Sequence, residues 1–258
     1  MIPLKYFKGF TKGSIPLEYP SNKWVGQKMS IKENYLRIRN QIPANVEIIA
    51  AAKTRTPEEV KELIDAGATQ IGENYVQEAE DMIKSLHPMT LKKVNWHMIG
   101  HLQKNKINKA LPIFDVIQTV DSLKLAQDLD KRVEKAGKYF VSILLEINIG
   151  SEFTKNGIQP AEYEDFEGFM EKLVINISKL PHIRLEGLMT MGPRFDDPEK
   201  PRPFFRRTKK IFDSLSKLNL ARVNMKYLSM GMTNSYKVAI EEGANLVRIG
   251  TAIFGLRD

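Results

Sequence analysis

The sequence of 258 residues contains no cysteine and only four histidines. Without cysteine there is no disulfide, no thiolate metal ligand and no cysteine nucleophile, which suits a reducing compartment. No apolar run approaches the roughly 18 residues that a membrane-spanning helix requires. These absences predict a cytoplasmic protein that does not enter a membrane.

Acidic residues are scarce near the N-terminus, and the chain carries a net charge of +8. The first 30 residues hold five lysines against Glu18 alone, and a second basic cluster runs from Arg202 to Lys210. No recognisable nucleic-acid-binding motif accompanies either cluster. We therefore expect a solvated basic surface that attracts anionic metabolites, and no nucleic-acid partner.

Residues 1–29 lack arginine and an apolar signal core, which disfavours a targeting signal and predicts an N-terminal extension.

From residue 30 onward, strand-like and helix-like segments alternate. The predicted strands lie at 47–52, 69–72, 94–99, 116–120, 140–147, 183–189, 227–230 and 246–254. The predicted helices lie at 31–41, 57–67, 75–86, 104–111, 121–137, 162–180, 204–218 and 234–242. This alternation predicts an α/β fold, a single (β/α)₈ TIM barrel over residues 30–258. A doubly wound sheet that binds a dinucleotide is disfavoured, because the first turn lacks the Gly-x-Gly-x-x-Gly pattern.

Lys53 ends the apolar run Ile48–Ala52, where a barrel gathers its functional loops. A lysine that leaves a buried strand is partly desolvated, and its neutral amine can attack an aldehyde. The alternative is an ordinary surface lysine beside a helix, and the spacing alone does not separate the two.

The loops after the seventh and eighth strands predict a phosphate site, because this fold binds phosphates there. Gly231 and Gly250 allow close approach of the backbone, while Ser229 and Thr251 add hydroxyl groups. The alternative is a pair of tight turns with polar caps. Together with Lys53, the two loops predict a ligand with an aldehyde at one end and a phosphate at the other.

Several motifs occur in the order found in one known family. Together they resemble the pyridoxal phosphate homeostasis family, often called the YggS or PROSC family, which is related to the N-terminal domain of alanine racemase. The resemblance covers about nine-tenths of the chain, from residue 31 to the end. Its motifs are Lys53, Gly72–Glu78, Trp96–Lys106, Gly187–Met191, Leu228–Met232 and Val247–Gly255.

The resemblance implies a TIM barrel that binds pyridoxal 5′-phosphate (PLP). Lys53 would carry a Schiff base with the cofactor, and Arg248 would face the pyridine nitrogen. Asn74 would lie near the ring substituents. The complete implied cofactor-binding set is Lys53, Asn74, Met191, Ser229, Met230, Gly231, Arg248, Gly250 and Thr251, with Ser229, Gly250 and Thr251 at the phosphate.

Arg248 argues against turnover, since arginine only donates hydrogen bonds and leaves the ring nitrogen unprotonated, a poor electron sink. The related racemases take a second acid/base from a separate C-terminal domain, whereas only Leu256–Asp258 follow Gly255 here. Tyr75 or Tyr236 would have to replace it. We therefore expect no enzyme but a monomeric carrier that holds PLP for homeostasis and delivers it to PLP-dependent apoenzymes. The alternatives are a racemase of narrow specificity and a barrel for another phosphorylated metabolite.

Three further features carry separate predictions. His97 and His101 have the spacing of a metal pair, but we expect His97 inside the third strand and one of the two near the ligand. The basic helix face of Lys104, Lys106 and Lys109 would steer an anionic ligand. Lys155 lies in a family motif and either helps cofactor transfer or stabilises a loop.

Overall fold

The computed structural model describes residues 29–152, 154–193 and 195–256. The predicted extension at 1–29 lies outside these residues except for Met29. The described chain begins with α1 (Ile31–Gln41), whose start is fixed by a reciprocal capping box between Ser30 and Glu33.

Eight parallel strands form a closed barrel, in which each strand pairs with the next and β1 also pairs with β8. The strands are β1 (Glu47–Ala51), β2 (Gln70–Glu73), β3 (Asn95–Met98), β4 (Val116–Val120), β5 (Val141–Ile147), β6 (Ile183–Thr190), β7 (Val223–Ser229) and β8 (Leu246–Ile249). The predicted (β/α)₈ barrel is thereby confirmed.

Helices on the outside of the barrel connect consecutive strands. They are α2 (Pro57–Asp65), α3 (Val76–Ser85), α4 (Pro88–Leu91), α5 (Ile107–Ala110), α6 (Leu123–Val133), α7 (Phe166–Ile177), α8 (Arg202–Leu215) and α9 (Tyr236–Glu241), and α10 (Thr251–Phe254) follows β8. None of the helices in the described residues could span a membrane.

Most predicted strand ends lie within one residue of the observed ones, but two predicted strands are wrong at one end by four or more residues. The eighth does not continue to Phe254, because Gly250 ends it and caps α10 instead. The seventh begins four residues earlier than predicted, at Val223, where exposed polar residues alternate with half-buried ones and conceal the apolar pattern. The short α4 was not predicted, although Pro88 and the His87 cap mark its start.

Apolar side chains form two cores. The larger core lies between the strands and the helices, while a small inner core fills the barrel with Ile49, Val116, Leu144, Met189 and Leu246. Because side chains alternate across a strand, residues two positions from these also face the interior. This alternation places polar side chains inside the barrel.

Acidic neighbours neutralise much of the basic surface that the sequence predicted. Arg202 pairs with Glu199, Glu241 and Glu242 at 2.6 to 3.0 Å, and Lys104 pairs with Asp128 at 3.0 Å. Lys109 likewise pairs with Glu80. These partners reduce the positive field that would steer an anion from either surface.

Candidate functional site

The predicted site residues all follow or end strands at one end of the barrel. Because the eight strands are parallel, their C-terminal ends meet at a single mouth. Lys53 lies two residues after β1, Asn74 follows β2 and Met191 follows β6. The remaining six come from β7, β8 and the turns after them: Ser229, Met230, Gly231, Arg248, Gly250 and Thr251.

The turns after β7 and β8 are held together by the backbone. The Arg248 N–H donates to the carbonyl of Gly231 at 3.1 Å, and the Met230 N–H donates to that of Leu246 at the same distance. Gly231 has φ +92°, and a Cβ there would lie 2.6 Å from the Cβ of Ala239, so both conformation and space require glycine. Gly250 lies beside Ala51 of β1, so this corner adjoins the strand that precedes Lys53.

A shallow cleft opens between the loops after β6 and β7. Three of the predicted residues line it, namely Met191, Gly231 and Arg248. Apolar and amide side chains, including Phe205 and Asn234, complete its wall. The cleft therefore brings a buried cation and glycine backbone next to apolar surface at the barrel mouth.

Arg248 is buried and held by three hydrogen bonds. Its Nη1 donates to the carbonyl (2.9 Å) and the hydroxyl (2.6 Å) of Ser229, and its Nη2 donates to the carbonyl of Thr190 at 2.7 Å. Burial lowers the pKa of Arg248 to about 10, partly offset by Glu146, so the side chain stays charged at neutral pH. These bonds use three of its five N–H groups, which leaves two for a ligand.

Ser229 is fully buried, and its hydroxyl has two partners inside the barrel. It accepts from Arg248 and donates to Gln118 Oε1 at 2.8 Å. Since a hydroxyl has one hydrogen, none remains for the phosphate that the resemblance assigned to Ser229. The Ser229 side chain would therefore affect a bound cofactor by holding Arg248 in place.

Beyond Gln118, three further side chains continue the contacts across the barrel. Gln118 Nε2 lies 2.9 Å from His97 Nδ1, and His97 Nε2 lies 2.7 Å from Gln70 Oε1. Gln70 Nε2 donates to Glu47 Oε2. Burial lowers the pKa of His97 to about 3, so its ring is neutral.

Sequence reasoning missed Glu47, Gln70 and Gln118. A polar residue on the inward face of an otherwise apolar strand is the pattern that would have revealed them. His97 lies inside the third strand as predicted, whereas His101 is partly exposed, 3.9 Å from Asp121. Within the described ranges no group of three or more potential ligands could hold a metal.

The turn after Lys53 is strained and anchored by an acidic side chain. Thr54 has φ +64°, which is unfavourable for a β-branched residue. Its N–H donates to Glu78 Oε2 at 3.0 Å. The nearby Glu73 is only 1% exposed, and burial, followed by repulsion from Glu78, raises its pKa to about 8.

Asn74 is positioned by a close backbone approach. A Cβ on Gly100 would lie 2.2 Å from the carbonyl oxygen of Asn74, so only glycine allows the loops after β2 and β3 to touch.

Of the two candidate second bases, Tyr75 is 59% exposed. The Tyr236 hydroxyl donates to Gln41 on α1 at 3.2 Å.

Glu146 adds a buried carboxyl that the sequence did not single out. It is 3% exposed and lies on the inward face of β5, two residues after Leu144 of the inner core. Burial raises its pKa to about 7, with a further increase from Asp121 and an opposing effect of Arg248. Its Oε2 has no hydrogen-bond partner among the described residues.

Lys155 holds the loop after β5 in place. Its Nζ donates to Glu152 Oε1 at 2.7 Å and to the carbonyl of Gly192 at 3.1 Å. These bonds join the loops after β5 and β6, which supports the loop-stabilising alternative for this residue. Its contribution to cofactor transfer stays a prediction.

Comparison with known proteins gives consistent matches. The family model described as alanine racemase, N-terminal domain, matches residues 28–258. The pyridoxal phosphate homeostasis protein of Aquifex aeolicus is 37% identical over 81% of this chain and 86% of its own. The protein of the same name from Pasteurella multocida is 36% identical over 89% and 99%. PipY of Synechococcus elongatus, solved with PLP bound, has a TM-score of 0.76 and 30% identity, covering 88% of this chain and 100% of PipY.

Proposed function

The chain belongs to the pyridoxal phosphate homeostasis family, and we propose that it binds PLP reversibly as a Schiff base on Lys53. In this proposal the protein takes part in PLP homeostasis and carries out no turnover of its own. The observation that supports it most is the meeting of Lys53 and the β7–β8 corner, with the buried Arg248, at one barrel mouth.

The chemistry of the mouth fits this cofactor. When bound, PLP supplies an aldehyde that condenses with an amine. Lys53 would provide that amine, and the two remaining N–H groups of Arg248 would face the pyridine nitrogen. Gly231, Gly250 and the exposed Thr251 hydroxyl would receive the phosphate. Asn74 and Met191 would line the ring, and Met230 would support the phosphate turn from its buried position.

Arg248 also supports the absence of turnover. Its charge and donor-only hydrogen bonding keep a facing ring nitrogen unprotonated, which weakens stabilisation of a carbanion. Three hydrogen bonds hold the guanidinium where it is. A reactive aldehyde held in this way is stored, not consumed.

A racemase of narrow specificity is the second candidate. It would need an acid/base on the face opposite Lys53. Tyr236 is directed toward Gln41 on α1, and Tyr75 is mostly exposed, so neither supports that role well. We retain the carrier as the leading function, in the cytoplasm, as a monomer, with PLP-dependent apoenzymes as recipients.

The test is a visible absorption spectrum of the purified protein with added PLP, before and after borohydride, followed by peptide mass spectrometry. We expect a band that borohydride removes irreversibly and a reduced adduct on the peptide containing Lys53. The band should be absent in Lys53→Ala and retained in Lys61→Ala, a control on the exposed side of α2. An adduct on another lysine, or no band at all, would exclude the proposed site.

Turnover is measured separately. The loaded protein is incubated with a panel of amino acids in deuterated water, and α-proton exchange is followed by NMR. We expect no exchange above that of free PLP. Exchange that depends on Lys53 would support the racemase instead.

A further inference from the structure

Side chains from six strands form one hydrogen-bonded chain across the barrel interior, here called the interior chain. Its members are Arg248, Ser229, Gln118, His97, Gln70 and Glu47. The chemistry of its two end members fixes its direction, since arginine only donates and the Glu47 carboxylate only accepts. Ser229 accepts from Arg248 and gives its hydrogen to Gln118 Oε1.

The same direction continues to the other end. With its oxygen used by Ser229, Gln118 donates through Nε2 to His97 Nδ1. His97 then carries its proton on Nε2 and donates it to Gln70 Oε1. The Gln70 amide nitrogen in turn donates to the Glu47 carboxylate, which only accepts.

Every hydrogen bond in the interior chain thus points in the direction from Arg248 to Glu47. Reversing any single one of them would place two donors or two acceptors against each other. His97 must be neutral for this pattern, as its depressed pKa of about 3 requires. Five members are buried inside the barrel, where an unmade hydrogen bond is costly, and Glu47 is half-buried at the start of β1. The interior chain therefore has one stable arrangement, and it fixes the orientation of Arg248 before any ligand arrives.

We propose that Gln118, His97 and Gln70 are positioning residues that hold Arg248 through the interior chain, so that its two remaining N–H groups face the mouth. The benefit to PLP binding rests on the proposed function. The arrangement of the chain itself does not, because it forms without ligand. The two statements can therefore be tested separately.

The arrangement is tested by NMR of the full-length protein labelled with ¹⁵N in its histidine rings, without PLP. We expect His97 to be neutral and protonated on Nε2 from about pH 5 to about 9, with the assignment made from its loss in His97→Asn. His87, His101 and His182 serve as internal references. A His97 ring protonated on Nδ1, or charged in this range, would overturn the proposal whether or not PLP binds.

The coupling to the site is tested with Gln118→Glu. This change preserves size and the acceptor for Ser229 but removes the donor to His97 Nδ1. We expect His97 to become charged in the NMR spectrum and the dissociation constant for PLP to rise about tenfold, an effect of the size of one hydrogen bond. Gln127→Glu on the exposed face of α6 is the matched control. It should leave the charge of His97 and the dissociation constant for PLP unchanged.

Gln70→Met provides a second variant should Gln118→Glu fail to fold. It removes the hydrogen bonds of Gln70 to His97 and Glu47 and replaces the side chain with an apolar one of similar length. We expect the affinity for PLP to fall, as in Gln118→Glu. Thermal unfolding of each variant separates loss of fold from loss of binding. Wild-type affinity in a folded variant with a broken chain would overturn the proposed coupling, while failure of the wild type to bind PLP would overturn only the proposed function.

Discussion

Glu73 should make the stability of the cofactor-free protein depend on pH in an unusual direction. Its carboxyl is buried behind the Lys53 turn, and burial together with Glu78 raises its pKa from 4.5 to about 8. A carboxyl with a raised native pKa favours folding only while it is protonated. Its contribution is fully present below about pH 4.5 and is lost as the pH rises through about 8.

The magnitude follows from the size of the shift. Each pKa unit corresponds to about 1.36 kcal/mol, so the rise at Glu73 amounts to a few kcal/mol in total. Between pH 5 and pH 8 the native state should lose about 3 kcal/mol through this group alone. Glu146, whose pKa is raised to about 7, adds a loss of the same sign that is complete at a lower pH.

Glu73→Gln isolates the effect, because the amide keeps the shape of the carboxyl and cannot ionise. Urea unfolding of both proteins at several pH values between 5 and 8 gives the difference in their free energies of unfolding. We expect that difference to shift in favour of the variant by about 3 kcal/mol over this range. Glu164→Gln, at an exposed position, controls for the loss of one negative charge. The reasoning would be refuted if the free energies of unfolding of wild type and Glu73→Gln changed equally with pH.

Three further changes test the local geometry by urea unfolding. Gly100→Ala places a Cβ against the Asn74 backbone and should cost at least about 2 kcal/mol and weaken PLP binding; unchanged stability would contradict the close approach. Thr54→Gly relieves the left-handed backbone at φ +64° and should raise stability by up to about 1 kcal/mol, whereas a loss of that size would show that the turn is not strained. Arg39→Lys cannot reproduce the three hydrogen bonds that Arg39 makes to backbone carbonyls after α1 and should cost about 2 kcal/mol; a smaller loss than for Arg37→Lys on the same helix would contradict this.

Much of the fold could be predicted because the barrel repeats one local pattern. Apolar runs of strand length alternate with helical periodicity, and caps such as Ser30 and Thr56 fix helix starts through contacts three residues apart. Such signals are local, so the sequence displays them directly. They failed where burial was weak, as along the first half of β7, and where Gly250 ended β8 inside an apolar run.

The site was predicted only in part, for a related reason. Lys53 and the glycines after β7 and β8 could be predicted as site residues, because a barrel gathers its functional residues at the C-terminal ends of its strands. Glu73 and Glu146 do not, because a carboxyl acquires a raised pKa only from the neighbours that surround it. The motif around Glu73 was identified, but its burial was not.

The sequence by itself determined the order of strands and helices and the end of the barrel at which the functional residues gather. Only the tertiary structure decided how they are used: the Ser229 hydroxyl serves Arg248 and Gln118, and His97 is a neutral link between two amides. Periodicity arises from neighbours along the chain and can be recognised in one dimension. Hydrogen-bond partners from different strands are far apart in sequence, and only closure of the barrel brings them within reach.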